Sequence, residues 1–322
     1  MNALDRSSYL LRNDLELFNK KFKEKILSQS TILNFAIKYI LRLKSKKIRP
    51  ILVFLTAKAC NNFSERTYTG AILVELLHTA TLIHDDVVDN ADKRRGMPSI
   101  NYIWRNKIAV LIGDYFLSKG LLISIENKDY DYLNITADAV KRMAEGELLQ
   151  IAKTKKFDID IDTYYKIISD KTASLISACC KIGASGAKEE YFKAMETYGE
   201  NIGIAFQIVD DILDYAGAAS IFGKAIGKDL KEKKITLPLI CALKNSTPAE
   251  SKIIKRMIIA DKKNKMTQAI INFVIEKNGV EDAFKIANQF RQKAIEALEY
   301  LPDSEFKDAL KDLAEYIVSR KK

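Results

Sequence analysis

An all-α protein is predicted by three features of this chain. Helix breakers are scarce, with 13 glycines and 5 prolines in 322 residues, fewer than turn-rich β folds carry. Apolar residues recur three and four positions apart over long stretches, the period of a helix. No train of short alternating strands separated by turn residues occurs in the sequence.

The elements follow in order. Residues 8–27, SYLLRNDLELFNKKFKEKIL, alternate apolar and charged positions as one amphipathic surface helix. AILVELLHTATLIHDD (71–86), KIAVLIGDYFLSKGLLIS (107–124) and IGIAFQIVDDILDY (202–215) are apolar nearly all the way round, as helices enclosed by other helices are. Residues 215–237 are glycine-punctuated and lysine-rich, which predicts a loop. The stretches 266–277 and 306–322 return to the amphipathic pattern. A hydrophobic content of 48% can supply a large core, and no Gly/Ser-rich, Pro-rich or low-complexity linker interrupts the chain. Residues 1–322 are therefore expected to form a single domain, with central apolar helices ringed by amphipathic ones.

Composition narrows the function. The formal net charge is +10, but it is spread as diffuse lysine, and no compact basic and aromatic run suggests nucleic acid. Anionic small substrates remain as the explanation for basic residues near the motifs. The N-terminal residues carry acids early and lack a secretory pattern, and no uncharged apolar run reaches membrane-spanning length. Cys60, Cys179, Cys180 and Cys241 show no metal-ligand spacing, so they are expected in the core of a protein kept in a reducing cytoplasm.

Two words of the form D-D-x-x-D carry the chemistry: LIHDDVVD, with Asp85, Asp86 and Asp89, and QIVDDILD, with Asp210, Asp211 and Asp214. Three carboxylates in one helical turn repel one another and are costly to desolvate unless a cation binds them. Residues four apart share a helix face, so Asp85 with Asp89, and Asp210 with Asp214, each form an oxygen-rich pincer. Asp86 and Asp211 lie about 100° away round the axis, suited to a second ion or a supporting hydrogen bond. Such hard oxygen ligands suit Mg²⁺, which shares its shell with water and phosphate. One acidic turn alone would pass for a solvated face. Two copies, with Val87 and Val88 or Ile212 and Leu213 expected to anchor the opposite side in a core, do not.

Around these words the chain resembles the polyprenyl synthetase family, the trans-isoprenyl diphosphate synthases, over almost its whole length. LIHDDVVDNADKRRG, with Arg94 and Arg95, matches the first aspartate-rich motif, and AFQIVDDILDY matches the second. KKIRP (46–50), KTAS (171–174), FGKAIGKDL (222–230) and KKITLPL (233–239) match the smaller motifs in order. The resemblance implies an all-α isoprenoid synthase bundle built around an active-site cavity. It also implies a reaction in which an allylic diphosphate ionises, isopentenyl diphosphate attacks the carbocation, and a proton is lost, with the leaving pyrophosphate as base.

By the same resemblance, Asp85, Asp89 and Asp210 ligate up to three Mg²⁺, with Asp86, Asp211 and Asp214 binding directly or through water. Arg94, Lys171, Thr172, Gln207, Lys224 and Lys234 take the allylic diphosphate, and Lys171 and Gln207 also sit near the developing cation. Lys46, Arg49, His78 and Arg95 take isopentenyl diphosphate, while His84 supports the cluster or packs. Two departures stand out. Lys44 and Ser45 replace two glycines usual before the first lysine. Lys233 stands where a glycine is common, leaving open whether Lys233 or Lys234 reaches phosphate.

Product length in the family depends on the depth of an apolar tunnel below the first cluster. Ala80 and Thr81, where short-chain enzymes commonly carry Phe or Tyr, are small, and the EGELLQ stretch (145–150) resembles long-chain enzymes. Leu77, Val74, Phe116 and Leu117 are candidates for the deeper walls. The implied product is a long-chain, roughly octaprenyl diphosphate made from farnesyl or geranylgeranyl diphosphate, destined for a respiratory quinone side chain. The implied assembly is a homodimer, with residues 107–124 as a candidate interface. The competing readings are a short-chain (farnesyl or geranylgeranyl) synthase, a terpene cyclase, and a non-catalytic subunit of a heteromeric synthase.

Overall fold

The computed structural model describes residues 2–43, 46–94, 96–156, 160–216, 227–261 and 265–320. Among them the chain is helical almost throughout, and its one strand pairing is a two-residue ladder, β1 (Lys93–Arg94) against β2 (Met97–Pro98). The chain divides into two compact units.

The first unit comprises residues 1–137, 178–193 and 301–310. It opens with α1 (Ala3–Leu10) and α2 (Arg12–Ile26). The single helix expected over residues 8–27 is thus broken at Leu11, whose φ of −100° and ψ of 18° leave the helical region. Leu11 itself is fully buried, so the break turns an apolar anchor inward. Helices α3 (Thr31–Arg42), α4 (Ile48–Ala59) and α5 (Glu65–Val88) follow. Phe54 of α4 centres an aromatic cluster, with ring centroids 6.0 Å from Phe18, 5.9 Å from Phe63 and 5.3 Å from Tyr68. These offset and edge contacts are favoured by the ring quadrupoles.

Helix α6 (Ile100–Glu126) packs along α5. Close approach is possible because Gly113 and Gly120 lack side chains; a Cβ at Gly113 would lie 2.3 Å from His84 Nε2. His84 is therefore a packing residue on α6. Within α6, Arg105 adopts φ 70° and ψ 160°, a kink in a region that L-residues avoid. The stretch expected to be enclosed is only partly so. Ile112, Phe116 and Ile123 are buried, whereas Val110, Leu111, Leu121, Leu122 and Ile125 are exposed, with nothing among the described residues covering that face. By length and composition α6 could also cross a membrane, the one such helix among the described residues, although Lys107, Asp114 and Lys119 interrupt it. Cys60, Cys179 and Cys180 are buried and unbridged, as expected of core residues.

The second unit comprises residues 138–177, 194–300 and 311–322. Parts of α7 (Tyr130–Lys156), α9 (Ser174–Ala184), α10 (Glu189–Ala216) and α16 (Glu305–Ser319) belong to it, together with α8 (Ile161–Ile168) and a π-helical turn, Ser169–Ala173. Also in it are α11 (Lys228–Lys231), α12 (Leu237–Lys244), α13 (Pro248–Ala260), α14 (Thr267–Glu276), α15 (Gly279–Ala297) and a 3₁₀ turn, Leu298–Tyr300. The loop expected over 215–237 differs in part. Tyr215 is a buried residue of α10 and 228–231 form α11, while 217–226 lie outside the described residues. Two apolar clusters fill this unit. One joins Tyr164, Ile204, Ile208, Ile212 and Ala287; the other joins Tyr215, Leu239, Ile254, Ile271 and Val274.

Candidate active site

Helix α5 ends on the first aspartate word, with Asp85 and Asp86 in its last turn and Asp89 as its C-cap. Asp85 and Asp89 are exposed, one turn apart, and the Asp89 N–H donates to the Asp85 carbonyl at 2.8 Å. Asp86 is buried. It is held by Arg94 of β1, whose Nε and Nη2 both lie 2.7 Å from Asp86 Oδ1. Burial pushes the Asp86 carboxyl above its ordinary range, and Arg94 pulls it part of the way back. The expected anchoring here is corrected at one residue: Val87 is half-buried, but Val88, the last residue of α5, is 65% exposed, because the helix stops there.

Beside Asp86 and Arg94 opens a cleft of about 290 Å³ in which Lys47, Glu75 and His78 add polar groups to walls including Phe18, Phe22, Leu82 and Ile83. Lys46 is exposed and outside this lining, whereas Lys47 is in it. Lys47 is the N-cap of α4 with left-handed φ 49° and ψ 36°, and its ammonium donates to Asn19. Burial lowers the Lys47 pKa, countered by the charge of Glu75. Arg49 is half-buried in the first turn of α4. Arg95 lies outside the described residues, as do Lys44 and Ser45.

Ala80 is buried on α5, and the half-buried Thr81 donates its hydroxyl to the His78 carbonyl at 2.9 Å. Neither lines the cleft, although Thr79 and Ile83 do. Val74, Leu77 and Phe116 are buried and Leu117 is half-buried.

The second word sits in α10. Ile212 is buried and Leu213 packs against the same core, as expected. Asp211, the central residue, is buried like Asp86. Its Oδ2 accepts from the Tyr164 hydroxyl at 2.7 Å and its Oδ1 from Gln207 Nε2 at 2.8 Å. Burial pushes its pKa up to about 7, with the Asp229 charge adding to the rise and the Tyr164 and Gln207 bonds opposing it. Asp210 bonds Arg320 Nη2 at 2.6 Å, and that guanidinium stacks 4.0 Å from the Phe206 ring centroid. Asp214 accepts the Asp229 N–H at 3.0 Å, fixing the chain as it re-enters at α11.

A cleft of about 80 Å³ lies against Asp211, lined by Gln150, Lys171, Thr172, Gln207, Asp229 and Lys234 among others. Lys234 faces it and pairs with Glu232 at 2.6 Å, while Lys233, at φ 58°, turns its ammonium to the Ile259 carbonyl at 3.1 Å. The left-handed φ explains why glycine suits position 233. Lys171 Nζ donates to Gln150 at 2.8 Å and pairs with Glu147, tying KTAS to EGELLQ. Thr172 Oγ1 donates to Gln207 Oε1 at 2.8 Å. Lys224 lies outside the described residues.

Five residues here went unassigned in the sequence: Tyr164, Asp229, Glu75, Lys47 and Arg320. Asp229 and Lys47 were within reach, since they lie in the FGKAIGKDL and KKIRP stretches; the others depend on tertiary contacts. Among the described residues no three His, Cys, Asp or Glu side chains form a ready metal cage. The donors nonetheless fit Mg²⁺, because carboxylate pincers one turn apart leave positions for water and substrate oxygens to complete an octahedron.

Comparison with known proteins identifies the family. The sequence model of the family described as polyprenyl synthetase matches residues 30–274. The octaprenyl diphosphate synthase of Haemophilus influenzae is 32% identical over 99% of this chain and 97% of its own length. Component 2 of the heptaprenyl diphosphate synthase of Geobacillus stearothermophilus is 32% identical over 96% of this chain and 97% of its own. Among solved structures, a polyprenyl synthase from Caulobacter crescentus, complexed with calcium and isoprenyl diphosphate, superposes with a TM-score of 0.91 at 31% identity, covering 99% of this chain and 98% of that one.

Proposed function

Because the chain belongs to the polyprenyl synthetase family and is a prenyl diphosphate synthase with the all-α isoprenoid synthase fold, we propose that it condenses isopentenyl diphosphate with farnesyl or geranylgeranyl diphosphate into a long all-trans polyprenyl diphosphate. The observation that carries the reading is the cleft at Asp211, where two lysines and two neutral donors, Thr172 and Gln207, meet the carboxylates of Asp211 and Asp229. A diphosphate needs the cations, and its Mg²⁺ needs the carboxylates.

Asp85, Asp89 and Asp210 would hold Mg²⁺, which when bound supplies charge neutralisation on the leaving diphosphate. The chain's own residues do the rest. Arg94, Lys171 and Lys234 bind diphosphate oxygens through charge-assisted bonds, joined by Lys224 on the resemblance. Thr172 and Gln207 fix the orientation of the allylic end, and preorganised dipoles there stabilise the developing cation without rearrangement. Lys46, Arg49, His78 and Arg95 would take the second substrate, with Lys47 added by its place in the cleft.

The long product rests on the small Ala80 and Thr81 and on similarity to octaprenyl and heptaprenyl synthases. A respiratory quinone side chain is the fitting destination, and the cytoplasm the fitting compartment. We assign the exposed apolar face of α6 to a homodimer contact, since patches of that kind are rare on monomers. Light scattering of the purified chain tests this, and a monomer at micromolar concentration contradicts it.

A second reading comes from the similarity to a protein named component 2: the chain is then one member of a two-component synthase. Pyrophosphate release by the isolated chain from isopentenyl and farnesyl diphosphates separates the two. Turnover alone supports the first; silence supports the second.

A further inference from the structure

The residues assigned to the allylic diphosphate do not all sit on ordinary helix. Lys171 and Thr172 occupy the π-helical turn Ser169–Ala173, closed by the Ser174 N–H donating five residues back to the Ser169 carbonyl. Such turns are rare, occur mostly as single turns inside α-helices, and are frequent at functional sites. Two glycines let neighbouring helices close on it. A Cβ at Gly203 would lie 2.5 Å from Ala173 Cα, and one at Gly146 would lie 3.0 Å from the Lys171 nitrogen.

One side chain spans the turn. Arg142 Nε donates to Asp170 Oδ1 at 3.0 Å and Nη2 to Ser169 Oγ at 2.7 Å, both within the π turn. Its Nη1 and Nη2 also reach Glu200 of α10, at 3.2 and 2.8 Å. Asp170 is buried, and its other oxygen takes Lys166 at 2.8 Å. On the far side of the same turn, Thr172 holds Gln207 and Gln207 holds Asp211. A rigid planar fork is the group suited to three simultaneous acceptors, and lysine cannot replace it.

We propose that Arg142 is a positioning residue: it locks the π turn to α10 and thereby sets where Lys171 and Thr172 meet the allylic diphosphate. This rests on the synthase reading. Small displacements of binding groups cost rate steeply, so loss of the fork is felt at the allylic substrate and not at isopentenyl diphosphate.

The test is the steady-state kinetics of Arg142→Lys, which keeps the charge and loses the fork. The expected result is a fall of about 10²-fold in kcat/KM for the allylic substrate, with KM for isopentenyl diphosphate within about twofold and thermal melting nearly unchanged. In a Thr172→Val background, which already lacks the Gln207 bond, the same change costs much less, by about fivefold or more, because coupled residues are non-additive. A folded Arg142→Lys enzyme with unchanged allylic kinetics, an equal rise in KM for both substrates, or full additivity overturns the proposal. Should Arg142→Lys fail to fold, Glu200→Gln repeats the measurement from the other side of the clamp. An unmodified chain without condensation activity removes the single-chain synthase reading on which this test rests; an active one with an indifferent Arg142→Lys removes only this proposal.

Discussion

Arg94 places two nitrogens 2.7 Å from a single oxygen of Asp86, so a cation expected to bind substrate and a carboxylate expected to serve metal are bonded to each other. Asp86 is buried while Arg94 is partly exposed, which makes the carboxylate the dependent partner. Arg94→Gln should strand a buried charge and cost about 1–3 kcal/mol of stability. Adding Asp86→Asn should recover most of that loss without restoring turnover. Urea denaturation of the two variants checks the first half, and a double variant no more stable than the single one contradicts it.

Asp85, which is exposed, and Asp210, which is half-buried, lead to a different outcome. Asp85→Asn and Asp210→Asn keep shape and remove charge from the proposed Mg²⁺ ligands. Each should lower turnover by at least about 10²-fold, the scale of one preorganised electrostatic contact, with helicity retained by circular dichroism. Near-normal turnover with normal Mg²⁺ dependence in either variant would remove that residue from the metal site.

Asp211 predicts a pH dependence of stability. Its carboxyl is pushed from 3.8 up to about 7 by burial. Between those values the folded metal-free chain holds a proton that the unfolded chain has released, so its stability falls as pH rises. Relative to Asp211→Asn, which does not titrate, the unmodified protein should lose about 1.4 kcal/mol per pH unit from pH 4 towards 7. Chemical denaturation in chelator at several pH values measures the difference, and a gap that stays constant or narrows sinks the assignment.

Arg105 is an exposed residue in a glycine-type conformation inside α6. Removing its Cβ relieves strain of a kind that costs about 1–3 kcal/mol, partly offset by the greater freedom of unfolded glycine. Arg105→Gly should therefore raise stability by about 1 kcal/mol. A lower melting temperature for the variant contradicts the strain.

The aspartate words and the helical architecture were legible because both are local: four-residue spacing and apolar period need no tertiary information. The division of labour within each word was not. Asp86 and Asp211 differ from their neighbours only through Arg94, Tyr164 and Gln207, which lie far along the chain or across a turn. Lys46 and Lys47 are indistinguishable in sequence, and the left-handed turn at Lys47 decides which one lines the cleft. The break at Leu11 and the kink at Arg105 left no breaker residue to read. Val88 looked like an anchor because apolar period does not say where a helix stops. The π turn is invisible for the same reason as the clamp that holds it: Arg142, Asp170 and Glu200 are scattered along 58 residues.

The central proposal is that the chain alone builds a long prenyl diphosphate past a floor set by small residues. Ala80 is buried five residues before Asp85, at about 1.5 Å per residue some 7.5 Å along the helix from the cluster. The decisive measurement is chromatographic sizing of the products that the purified chain and its Ala80→Phe variant make from isopentenyl and farnesyl diphosphates with Mg²⁺. A product of roughly octaprenyl length is expected from the first and one ending near farnesyl or geranylgeranyl size from the second. Short products from both, or an unchanged long product from Ala80→Phe, would contradict this length control.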